Sequence, residues 1–240
     1  MKKITLLIAF IMSVSVAIPF VTGISTFESN QENLIGLGIT MNEWQLIPTI
    51  GTGIEYLNPD EDVPSQITNT NNYNVTKESY FRFENVKYAY VFDAQTRKYV
   101  LAIKEGKLTG EFDSSMAKAD RAPVMWVYVE TTPKEYGTRW LWLNEKKTET
   151  SVSEFTMKKG WNFIYTTNDM IGKSLSEWKG TCTVTKLAGY DYTEGWNVAD
   201  VDKMNFENVD HVGIPILLKV DKDCKFEASS SVPAPPAFPN

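Results

Sequence analysis

The sequence has little of what catalysis is usually built on. Its 240 residues hold one histidine, His211, and two cysteines, Cys182 and Cys224. A lone histidine with no candidate nucleophile nearby lacks the partners that a triad or a metal site needs. Neither a Gly-x-Ser-x-Gly elbow nor a phosphate-cradling glycine loop occurs. Carboxylates are plentiful, but no spacing sets two of them across a cleft as a glycosidase would require. These absences point to a protein that is not an enzyme and carries no cofactor. After the amino-terminal segment, no hydrophobic run approaches membrane-spanning length.

What is present starts with that segment. Met1-Lys2-Lys3 is followed by an apolar stretch from Ile4 to Val21, interrupted only by polar residues such as Ser13 and Ser15, and then by Thr22-Gly23. A positive start, an apolar middle and small residues at −3 and −1 match a signal peptide, residues 1–23, cleaved after Gly23. The alternative is an uncleaved anchor, since 18 apolar-run residues approach the lower limit of about 17 for a spanning helix. Pro19 and the lack of a basic stop-transfer flank favour cleavage. Both routes place the bulk outside the cytoplasm, secreted or at the cell surface.

Loss of residues 1–23 leaves 22 basic and 30 acidic side chains, a net of −8. That balance repels phosphate backbones and anionic lipid, so nucleic acid is not an expected partner, and a membrane is one only if the leader stays as an anchor. In an exported chain, Cys182 and Cys224 read as a disulfide closing a loop of about 40 residues, worth roughly 3–4 kcal/mol. Asn74-Val75-Thr76 is the only N-glycosylation sequon. Asp60-Glu61-Asp62 with Asn58, and Asp221 and Asp223 with Asp210, offer oxygen ligands. Neither set follows a defined calcium loop, so no metal site is assigned.

Short aromatic and β-branched runs separated by turn formers fill the rest, with no sustained helical period. Strands are expected at Trp44–Pro48, Tyr80–Phe83, Val86–Phe92, Lys98–Ile103, Val124–Val129, Arg139–Leu143, Gly160–Tyr165 and near Pro215–Val220. Residues 58–74 carry Pro, Asp and a run of Asn and Thr, and read as a long exposed loop. Residues 144–157 form a charged connector, and 229–240 a proline-rich extended tail.

An internal repeat is visible. Glu43-Trp44-Gln45-Leu46-Ile47-Pro48 aligns with Gly160-Trp161-Asn162-Phe163-Ile164-Tyr165, Val86–Asp93 with Val184–Asp191, and Val124–Val129 with Pro215–Val220. The expected fold is therefore all-β: two related antiparallel β-sandwich-like modules, residues 34–143 and 158–226, each opened by a Trp that should sit in its core.

The second span runs Gly160-Trp161-Asn162, Gly180-Thr181-Cys182, Gly195-Trp196-Asn197, Gly213, Leu217-Leu218-Lys219-Val220 and Asp223-Cys224. It resembles the GWN-type β-modules of secreted and cell-surface proteins of archaea, with residues 34–143 as a weaker first copy. The resemblance implies an extracytoplasmic setting and assigns no reaction.

Seven Trp, 11 Tyr and 12 Phe are the most distinctive resource. Trp126 and Tyr128 share one strand face, as do Trp140 and Trp142, so each pair lines either a core or a sugar-stacking platform. The expected role is a structural or adhesive surface protein whose partners are other surface proteins or extracellular polysaccharide. A carbohydrate-binding module using these four rings is the alternative.

Overall fold

The computed structural model describes residues 26–28, 34–68, 74–130, 137–144, 150–191, 194–199, 201, 206 and 211–227. The leader at 1–23, the tail at 229–240 and Asp210 lie outside the described residues. The fold is all-β, and the one α-helix among the described residues is the single turn α1 (Leu175–Trp178). In chain order the strands are β1 (Thr26–Glu28), β2 (Leu34–Thr40), β3 (Trp44–Pro48), β4 (Gln66–Thr68), β5 (Asn74–Thr76), β6 (Val86–Asp93), β7 (Lys98–Lys104), β8 (Lys107–Leu108), β9 (Val124–Val129) and β10 (Thr138–Asn144). The second span continues with β11 (Thr156–Met157), β12 (Gly160–Tyr165), β13 (Val184–Asp191), β14 (Gly195–Ala199), β15 (Pro215–Val220) and β16 (Cys224–Lys225).

Two main antiparallel sheets run in one order. The first is β3-β9-β6-β7-β8 and the second β12-β15-β13-β14, so both insert the last long strand between the first and the second. Beside each, the strand before it pairs with the strand after it: β2 with β10, and β11 with β16. Register agrees as well. Trp44 faces Tyr128 as Trp161 faces Lys219. A β-bulge lies between Val86 and Tyr88 opposite β9, and another between Val184 and Lys186 opposite β15. An extra residue on one strand twists the ladder locally, so the two sheets bend at corresponding points.

Alternation explains which faces are buried. β9 and β15 show the same pattern, buried at Met125, Val127 and Val129 and at Ile216, Leu218 and Val220, with half-exposed residues between. These side chains belong to one buried cluster that runs from Ile35 to Phe226 and includes residues of both spans. Each fully buried branched side chain contributes about 1.5–3 kcal/mol. Cys182 and Cys224 are disulfide-bonded, with Cα atoms 5.1 Å apart and a sequence separation of 42. The bond ties β16 to the turn after α1, and closing such a loop is worth about 4 kcal/mol on the chain-entropy estimate.

Several expectations are corrected. Residues 58–74 are not merely exposed loop: β4 and β5 pair there, and Val63, Ile67 and Val75 are buried with Tyr80 and Trp142 in a second, smaller core. The polar run hides three apolar side chains that fold back over β10. The connector at 144–157 is anchored through Thr150, Val152 and Phe155, all buried. Ser151 and Glu154 form a capping box there, and Asp169 accepts from Ser151 Oγ at 2.7 Å and Val152 N at 3.1 Å. Tyr80–Phe83 is no regular strand, because Tyr80 makes a single bridge to Trp140 and a 3-10 turn begins at Phe83.

Candidate functional site

The sheets face each other through aromatic rings. Phe92 meets Phe163 at 5.8 Å between centroids, Trp126 meets Tyr190 at 4.6 Å, and Trp126 meets Trp196 at 5.9 Å. Edge-to-face geometry dominates, the arrangement favoured by ring quadrupoles. Each sheet contributes a corresponding cross-strand pair, Phe92–Tyr99 and Tyr190–Trp196, both at 5.3 Å.

Arg97 fastens this seam from the side. It sits in the β6–β7 turn with φ +58°, its guanidinium lies 5.2 Å over Phe92, and Nη1 donates to the Trp161 carbonyl at 2.8 Å. Gly160, at φ +101°, runs beside it; an added Cβ would lie 3.5 Å from Arg97 Nη2.

Trp44 and Trp161, expected in the cores, are both half-exposed. The amide that follows each is the buried residue. Asn162 Nδ2 donates to Lys158 O at 2.7 Å and Gly160 O at 2.9 Å, while its Oδ1 accepts from Lys158 N at 2.9 Å. Gln45 Nε2 donates to Thr40 O at 2.7 Å. The exposure of Trp44 instead creates a surface cluster with Tyr128 at 5.3 Å and Tyr90 at 6.0 Å, all three half-exposed.

The four predicted stacking rings therefore separate. Trp126 belongs to the seam, and Tyr128 to the half-exposed cluster beside it. Trp142 is 1% exposed beneath β4–β5, with Tyr80 edge-on at 5.8 Å, so it cannot offer a face to a ligand. Trp140 packs against the same small core, 6.4 Å from Trp142. Trp140, unlike Trp142, is half-exposed. Sequence alternation placed both on one face correctly but not the hairpin that covers them.

Buried polar chemistry is spent on bracing. Asp93, 2% exposed, accepts from Gln95 N, Thr96 Oγ1, and Arg121 Nε and Nη2 at 3.0–3.2 Å. Burial would raise its pKa, but the Arg121 hydrogen bonds and those from Gln95 and Thr96 outweigh this and hold it below the ordinary range. Tyr165 donates to Thr52 O at 2.5 Å and approaches Thr150 Oγ1 at 2.9 Å; burial pushes its phenol up to about 12. Thr150 Oγ1 itself donates to Thr52 O at 2.8 Å. Gly53, at φ +91°, is required here, because a Cβ would fall 1.8 Å from Thr150 Oγ1.

The acidic turns carry local partners. Asp60 pairs with Arg82 at 2.9 Å, which lowers its pKa, and Asp62 Oδ2 accepts from Asn58 N at 3.0 Å. Asp223 accepts from Lys159 N at 2.8 Å and Lys158 Nζ at 3.1 Å. Among the described residues, no three His, Cys, Asp or Glu side chains group as a metal set. His211 lies in the turn before β15, where its carbonyl accepts from Thr166 Oγ1. Asn74 is exposed on β5, its Oδ1 accepting from Thr68 Oγ1 at 2.7 Å.

An open cleft of about 400 Å³ lies beside Gly51, Gly53, Lys118, Asp120 and Glu154. Glu154 accepts there from Ser151 N at 3.0 Å. Comparison of the chain with protein-family models, curated proteins and solved structures finds no match.

Proposed function

We propose that the chain is an extracytoplasmic structural or adhesive protein without catalytic activity. The carrying observation is how its buried polar groups are used: Asp93, Asn162, Thr150 and Tyr165 each brace a turn or the junction between spans. Such bracing suits a rigid body that presents surface to other surface proteins or extracellular polysaccharide. The disulfide between Cys182 and Cys224 accords with an oxidising compartment. Matching strand order, register and bulge support two copies of one module, and a place for the second span among GWN-type modules belongs to the same proposal. There, Gly160 supplies a left-handed backbone and Asn162 the brace.

Fractionation of the native cells with mass spectrometry of the mature amino terminus tests this. The expected result is an envelope or medium fraction beginning at Ile24, with a glycan mass at Asn74 where the host glycosylates sequons. A cytoplasmic pool with an intact leader would overturn it.

The carbohydrate reading keeps support from one feature, the half-exposed cluster Trp44–Tyr90–Tyr128. Sugars stack on such rings when they are accessible. Affinity electrophoresis in gels containing envelope polysaccharide should show retardation that Trp44→Ala abolishes; equal mobility with and without polysaccharide excludes this reading.

A further inference from the structure

Register sets up one row of side chains twice, once in each main sheet. In the first, Trp44 faces Tyr128 and Tyr128 faces Tyr88; in the second, Trp161 faces Lys219 and Lys219 faces Lys186. Residues directly opposite in an antiparallel ladder share a face of the sheet, so each row is a contiguous patch. Both rows hold the same place relative to the bulges, which end at Tyr88 and Lys186. Lys186 is exposed and the other five side chains are half-exposed. The first row is aromatic throughout, whereas the second joins one indole to two ammonium groups.

Like charges directly opposite each other destabilise a sheet. Among the described residues neither Lys186 nor Lys219 has a carboxylate within ion-pair distance, while Lys87 and Lys158 are met by Glu130 and Asp223. Acidic side chains outnumber basic ones by 30 to 24, so an unmatched pair of lysines is not a by-product of composition. Lys219 Nζ lies 5.9 Å over the Trp161 ring, which holds one ammonium at the indole. Arg97 brings a third cation to the same place, its Nη1 2.8 Å from the Trp161 carbonyl oxygen. A local repulsion left without an internal remedy is characteristic of positions that serve a ligand.

We infer that the row Trp161–Lys219–Lys186 binds an acidic polysaccharide, one whose sugar rings carry carboxylates. A pyranose ring presents a C–H face to the open part of the indole, and its carboxylate supplies the charge that the two lysines lack. An acidic peptide would meet the charge but make no use of the indole. The aromatic row of the first sheet has no cation in it and gains nothing from an acidic sugar. The inference rests on the extracytoplasmic setting and the polysaccharide partner proposed above, and gives that partner a chemistry and a place.

The test is calorimetric titration of the exported, disulfide-bonded chain with oligogalacturonate and, separately, with polyglutamate, with far-UV spectra to confirm that each variant is folded. The unaltered chain should bind oligogalacturonate at low salt and release it as salt rises. Lys186→Gln should weaken binding about tenfold, the effect of losing one charged contact, and the double variant with Lys219→Gln should remove it. Trp161→Ala should weaken binding while leaving its salt dependence in place, and Trp44→Ala should change nothing. An unaltered chain that does not bind oligogalacturonate overturns the inference, and so does a double glutamine variant that binds as the parent does. Polyglutamate bound as tightly as oligogalacturonate overturns the assignment to a sugar. Fractionation of the native cells decides the extracytoplasmic setting separately, so failure of the site and failure of that setting are told apart.

Discussion

Gln45 and Asn162 occupy corresponding positions, each one residue beyond the Trp that opens a main sheet, each buried, and each donating back to a carbonyl four or five residues earlier. They differ in how fully they are satisfied. Asn162 makes three bonds, whereas Gln45 Oε1 has no partner among the described residues. Removing one side of a buried hydrogen-bonded set strands the other, at about 1–3 kcal/mol. Asn162→Leu should therefore destabilise by about 2–3 kcal/mol in urea unfolding. Gln45→Leu should cost about 1 kcal/mol or less, because it also removes an unmet acceptor. Equal losses would contradict the difference in bonding.

Most of the strands were legible because aromatic and β-branched residues alternate at period two between turn formers. β9 falls on the expected Val124–Val129, and β6, β7 and β10 extend by one or two residues. The hairpin β4–β5 was not legible, since Val63, Ile67 and Val75 are dispersed among Asp, Asn, Thr and Pro, and only burial over Trp142 gives them a common purpose. The aromatic seam was hidden for another reason. Phe92, Trp126, Phe163, Tyr190 and Trp196 come from five strands, and nothing local states which sheet faces will meet. A signal did exist for Asn162 and Gln45, the polar amide repeated among apolar residues, but its bracing role required the turn geometry.

Trp142 pairs across the ladder with Gly36, and Trp140 with Gly38. Neither glycine brings a side chain to its indole, and Leu34 of β2 packs against the same small core. Trp142→Ala should cost about 3–5 kcal/mol, as expected for emptying a buried aromatic site. Trp140→Ala, at a half-exposed position, should cost about 1 kcal/mol. Thermal unfolding followed by circular dichroism measures both, and similar midpoints for the two variants would refute the burial difference.

Asp93 gives the fold an acid limb. Its folded pKa is depressed, so its contribution is present above the unfolded value of about 3.9 and is lost as pH falls through the folded one. Asp93→Asn should lower stability at pH 7 by about 2 kcal/mol. This lies below the usual figure for breaking a buried pair, because Arg121 retains solvent contact. The variant should also show a shallower decline below pH 4. Urea midpoints collected from pH 2 to pH 7, on the order of the carboxylate range, test this. A variant curve parallel to the parent's would show that Asp93 is not the titrating group.

Tyr165 gives the opposite limb. Its phenol is raised to about 12 from the ordinary value of 10.0, chiefly by burial, which deprives the ionised form of water. A raised acid binds its proton more tightly in the folded state, so its contribution is intact below about pH 10 and is lost as pH climbs toward about 12. Tyr56 adds to the same limb: its phenol, donating to Pro48 O at 2.8 Å, is also raised by burial and by the nearby Tyr165. Tyr165→Phe should cost about 1 kcal/mol at neutral pH, the value of a hydrogen bond lost without a cavity. It should reduce the alkaline loss without abolishing it, and the double variant with Tyr56→Phe should reduce it further, leaving the part due to Tyr80, whose phenol is also raised by burial. Ultraviolet difference spectra of tyrosinate formation alongside the unfolding midpoints separate the contributions. If Tyr165→Phe leaves the alkaline limb unchanged, burial of the Tyr165 phenol is not what sets that limb.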